Sequence, residues 1–115
     1  MSKFRAASAA EDYHWPSGEP RTAAVLAVSV ADLERRIGTA PERGVESGLG
    51  AWVGFGLELA SGARVELVAY LEAPGGPLFE LRADARANLD AARAECLAAL
   101  GLPVTAVVWV PEAAI

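Results

Sequence analysis

Between Trp52 and Glu72 the apolar residues alternate so regularly that one pairing of the two halves is strongly preferred. The interruption at Ala60-Ser61-Gly62 suits a three-residue hairpin loop, with glycine at its left-handed position. Folding about that loop sets Val53, Phe55, Leu57 and Leu59 beside Ala63, Val65, Leu67, Ala69 and Leu71. This face is wholly apolar and is expected to be core. A slip of one residue would mix apolar and polar side chains on both faces, so the pattern itself selects the register.

The opposite face then carries Trp52, Gly54, Gly56, Glu58, Arg64, Glu66, Val68, Tyr70 and Glu72. Trp52 falls across from Tyr70, Gly54 across from Val68, and Glu58 across from Arg64 as an expected ion pair. Glycine inside a strand often marks the close approach of something else. Aromatic anchors rimmed by charge match the composition of protein interfaces. Trp52, Gly54, Gly56, Glu66, Val68, Tyr70 and Glu72 are therefore the candidate partner-binding residues. Coverage by the chain's own N-terminal segment, which carries Tyr13 and Trp15, is the competing reading; self-association is a third.

The flanking elements follow from local signals. Thr22–Val28 is a short apolar run that reads as a buried strand. Ser29 can cap a helix whose Val30, Leu33 and Ile37 share a face, and Gly38 ends it. Thr39–Gly50 reads as a long polar connection. A turn at Ala73–Pro77 leads to a strand at Leu78–Arg82. Asp84 is the expected cap of a helix over Ala85–Leu100, with Ala85, Leu89, Ala92, Cys96, Ala99 and Leu100 as its stripe. Gly101 and Pro103 stop that helix, and Val104–Val110 reads as a last strand, apolar on both sides.

The expected order is β-α-β-β-β-α-β, an α+β two-layer sandwich with a mainly antiparallel sheet and two helices on one face. Residues 1–21 form a flexible or loosely docked arm, and 22–115 a single domain. The two β-α-β ends resemble ferredoxin-like topology with one extra strand. That fold hosts many functions and carries no functional warrant.

Composition narrows the function classes. The net charge is −5, and Arg35-Arg36 is the only adjacent basic pair, so the Lys/Arg footprint of a nucleic-acid binder is absent. An acidic chain favours a basic protein partner or simple solubility. No apolar run reaches the ~18 residues of a membrane span, and Met1–Arg5 lacks the apolar core of a signal peptide. A single cysteine, Cys96, suits a reducing compartment. The expected location is cytoplasmic. Abundant Ala and Gly, and Arg used in place of Lys, fit a high-GC bacterial genome.

No catalytic, cofactor or metal constellation is legible. His14 is the single histidine and lies in the arm, away from any triad partner. One Cys and one His cannot supply a zinc site. Cys96 on a helix stripe reads as a small hydrophobe. The glycine-rich Gly48–Gly56 stretch precedes a strand, whereas a phosphate loop leads into a helix. The chain is expected to be a non-enzymatic module that binds a partner protein, as inhibitors and toxin-immunity proteins do. The alternative is a small-ligand sensor or dimeric assembly domain using the outer sheet face. An enzyme with an unrecognised site is the minority reading.

Overall fold

The computed structural model describes residues 3–7, 15–73 and 78–111. Tyr13, His14 and most of the turn placed at Ala73–Pro77 lie outside the described residues. In chain order the elements are β1 (Phe4–Ala7), β2 (Pro20–Leu26), α1 (Val30–Ile37), β3 (Glu42–Glu46), β4 (Gly50–Leu59), β5 (Arg64–Tyr70), β6 (Phe79–Asp84), α2 (Leu89–Leu100) and β7 (Val107–Trp109). A single 3₁₀ turn at Val104–Ala106 precedes β7.

The hairpin of β4 and β5 takes the register that its hydrophobic pattern demands: Trp52 pairs with Tyr70, Gly54 with Val68, and Glu58 with Arg64. The sheet extends from it in the order β1-β4-β5-β6-β2-β7, with β3 also on β4, and every pair is antiparallel. Two short strands share one edge of β4. β3 lies along Gly50–Gly54 and β1 along Gly56–Leu59. The fold is a compact α+β arrangement of one seven-stranded sheet and two helices.

The apolar sheet face is the core. Val53, Leu57, Val65, Leu67 and Leu81 are sealed from solvent against Leu33 and Ile37 of α1 and Ala92, Cys96 and Leu100 of α2. Each such Val or Leu contributes roughly 1.5–3 kcal/mol through burial. Both helices are capped at both ends. Ser29 Oγ and Asn88 Oδ1 each accept a first-turn amide at 3.0 Å, and Gly38 and Gly101 close the C-termini in the left-handed region. Arg36 Nη1 donates to the carbonyls of Leu100 (3.0 Å) and Gly101 (2.7 Å), joining α1 to the negative end of the α2 dipole.

Several expectations are corrected here. The connection over Thr39–Gly50 contains β3, which makes a second hairpin with β4. Within residues 1–21, read as a flexible or loosely docked arm, the described residues 3–7 and 15–21 supply β1 and the start of β2, and Trp15 is buried. Asp84 does not cap the second helix. It ends β6, and its carboxylate accepts the amides of Ser17 (2.8 Å) and Arg86 (2.9 Å), while Asn88 caps a helix that begins at Leu89. Leu89, one residue past that cap, is only half-buried. The Val104–Val110 run, read as one strand apolar on both sides, is a strand only over Val107–Trp109. Its first part is the 3₁₀ turn, and β7 is a sheet edge with Val108 and Trp109 exposed. Leu71, assigned to the core face, is 41% exposed because it lies past the end of β5, beside the exposed end of the β3–β4 hairpin. The ferredoxin-like likeness also fails. β6 and β7 run parallel with β2 between them, but β2 and β4 are antiparallel and separated by β5 and β6.

Candidate binding face

Neither helix packs on the second face of the sheet, and every candidate contact residue from Trp52 to Tyr70 lies there by register, with Glu72 just past the end of β5. The face runs from β3 and β1 across β4, β5 and β6 to β2 and β7. One row reads Gly54, Val68, Glu80, Val25, Trp109; a neighbouring row reads Gly56, Glu66, Arg82, Thr22.

Trp52 is less open than the sequence pattern suggests. It is 8% exposed, and its indole lies over Gly44, its cross-strand partner on β3. A Cβ at position 44 would stand 2.6 Å from three indole atoms, and one at Gly54 would stand 3.3 Å from the ring and 3.2 Å from the Leu67 carbonyl. These two glycines are therefore accounted for within the chain: they make room for the indole. Gly54, Gly56 and Val68 are buried as well. Tyr70 is half-buried and Glu72 is exposed. Glu72 leans over Gly50, where a Cβ would meet its Oε2 at 2.5 Å.

A charged network ties the face together. Tyr70 donates its hydroxyl to Glu46 Oε2 at 2.7 Å. The Arg82 guanidinium stands 5.9 Å from the Tyr70 ring centre and donates to Glu80 at 2.7 Å. Arg64 donates to Glu66 at 3.1 Å, and Arg5 of β1 donates to Glu58 at 2.5 Å. Burial raises the Glu66 pKa above its ordinary value; Arg64 and Arg82 oppose the rise, and nearby Glu42 adds to it. Burial also raises the Tyr70 phenol, and its hydrogen bond to Glu46 adds to the effect. For Arg82 burial acts downward, but its contacts with Tyr70 and Glu80 outweigh it and stabilise the charged form.

Acidic residues dominate this surface. Glu42, Glu46, Glu58, Glu66, Glu72 and Glu80 face Arg5, Arg64 and Arg82. Where β1 and β3 meet along β4, a notch of about 340 Å³ opens over Gly54 and Gly56, with Glu42 at its wall. Sequence reasoning placed Glu46 in a loop and did not include Arg82 or Trp109 in the face. Arg82 was recoverable from the period of two along β6. Glu46 was not, because nothing local marks β3 as a strand.

The remaining chemistry-bearing groups lie elsewhere. Cys96 is buried in the core, and burial pushes its thiol up to about 12, so it stays protonated and packs as a small hydrophobe. Among the described residues no cluster of three or more His, Cys, Asp or Glu is placed to hold a metal ion, and no helix is long and apolar enough to cross a membrane. Comparison with protein-family models, with curated proteins and with solved structures found no match.

Proposed function

We propose that this chain is a small acidic module that binds a basic partner protein through the helix-free sheet face, and so neutralises or regulates it as an inhibitor or toxin-immunity protein does. The observation that carries this reading is Tyr70 at the end of β5 on that face, a half-buried aromatic flanked by Glu46, Glu72, Glu80 and Arg82. A tyrosine held rigid by a hydrogen bond loses little entropy on contact and offers both apolar area and a polar tip. The glutamates around it would speed encounter with a basic surface more than they tighten the final complex. The proposal places no bond-making chemistry on the chain. It sets the protein in the bacterial cytoplasm, where a free thiol such as Cys96 persists.

The test is a pair of variants against the captured partner. Tyr70→Ala should weaken binding at least about tenfold. Glu72→Lys should mainly lower the association rate and flatten its dependence on salt. Unchanged affinity and rate in both variants would remove this face from the interaction.

A further inference from the structure

We propose that the free edge of β7 joins two copies of this chain, by antiparallel pairing of β7 with β7 of the second copy. The sheet order ends at this strand, which pairs with β2 on one side only among the described residues. Val108 is 54% and Trp109 49% exposed, with Val104 and Val110 exposed on either side.

Exposed strand edges invite pairing, and natural proteins blunt them with charge, proline or cover. The far edge of this sheet is blunted in that way: β1 and β3 cover β4, and β3 carries Glu42, Arg43 and Glu46. The β7 edge is apolar and uncharged. No charged residue occurs between Glu95 and Glu112.

Charge selects the occupant. The chain carries a net −5, so two copies repel wherever their acidic faces meet. The neutral β7 edge is where they can approach without that cost. A basic partner gains no attraction there and is drawn to the glutamate-rich face instead. A strand paired with its own copy about a two-fold axis is also self-complementary. Pro103 and Pro111 keep the paired segment short, which suits a dimer with a dissociation constant of about micromolar rather than an obligate one. The two-fold runs perpendicular to the sheet. The helices of both copies then stay on one side, and the two acidic faces point the same way with their glutamates set back from the seam by β2 and β7. This inference concerns the edge and stands independently of the reading of the face.

Sedimentation of the full chain from about 1 to about 200 µM tests it, a range that brackets a micromolar constant. The wild type should pass from monomer to dimer. Val108→Lys should raise the dissociation constant at least about tenfold while monomer melting at low concentration is unchanged. Val110→Lys, outside the strand, serves if Val108→Lys fails to fold, and Tyr70→Ala should leave the dimer intact. A wild type that stays monomeric throughout the range overturns the proposal. So does a dimer that survives a folded lysine variant, or one that Tyr70→Ala dissolves.

Discussion

Trp52 shows how a residue with the composition of an interface anchor can be used inside its own chain. Its ring occupies the space that two glycines leave open, Gly44 across the β3–β4 pair and Gly54 along its own strand. Viewed from β4 and β5 only, Gly54 and its neighbour Gly56 look like a site for a partner's close approach. With β3 in place, the indole accounts for Gly54 and Gly44, and only the notch between β1 and β3 stays open. The geometry makes Gly44 the more sensitive position, because three indole atoms would all lie 2.6 Å from a new methyl group. Gly44→Ala should therefore lower stability by about 1–3 kcal/mol, the range for overpacking a close-fitted site. Equilibrium urea unfolding measures it directly. A variant as stable as the wild type would mean the indole has free room to move, and Trp52 would return to the set of available contact residues.

At the scale of elements, β6 and α2 meet at a boundary that the sequence misplaces by several residues. Both Asp84 and Asn88 are good capping residues, and the apolar stripe extends far enough back to serve either. The choice is made by tertiary contacts. The Asp84 carboxylate is taken by the amides of Ser17 and Arg86, and residues 79–84 continue as the partner strand of both β5 and β2. The Ser17 amide hydrogen bond, with that of Arg86, holds the Asp84 pKa below its ordinary value. A carboxyl whose pKa is depressed by folding stabilises the fold above its unfolded pKa and loses that contribution as pH falls through the folded one. Asp84→Ala should thus lower the urea midpoint at neutral pH, with the gap to wild type closing as pH falls through and below the ordinary carboxylate range. A gap of constant size over that range would show that the carboxylate charge is not what the site uses. The same contrast explains which elements were legible. The β4–β5 register was readable because both faces constrain it, and α1 because its cap, stripe and terminal glycine agree. β3 was hidden: Glu42–Glu46 is polar, carries a glycine, and becomes a strand only because β4 offers it an edge. β7 was read too long because an apolar run does not distinguish the 3₁₀ turn at Val104–Ala106 from the strand that follows it.

For the whole molecule, the two faces of one sheet divide the work. One face is sealed by two helices and holds the chain together. The other is net-acidic and carries Tyr70 at one end of β5, bonded to Glu46 and beside Arg82. The candidate set was partly legible in the sequence, since the period of two assigned Tyr70, Glu66 and Glu72 to that face. It could not rank them by access, which depends on β3 and on the rows contributed by β6, β2 and β7. In the assembled face Tyr70 and Glu72 are accessible, whereas Glu66, at 7% exposure, is held by Arg64. Everything proposed for this face requires that the surface engage a basic protein. The most direct measurement is quantitative mass spectrometry of proteins captured from the native host by the wild type and by a folded Glu46→Lys/Glu72→Lys/Glu80→Lys variant. The wild type should recover a basic protein in stoichiometric amount, and the charge-reversed variant at least about tenfold less of it. Equal recovery of that protein by both, or no stoichiometric partner for the wild type, would contradict the role proposed for this face.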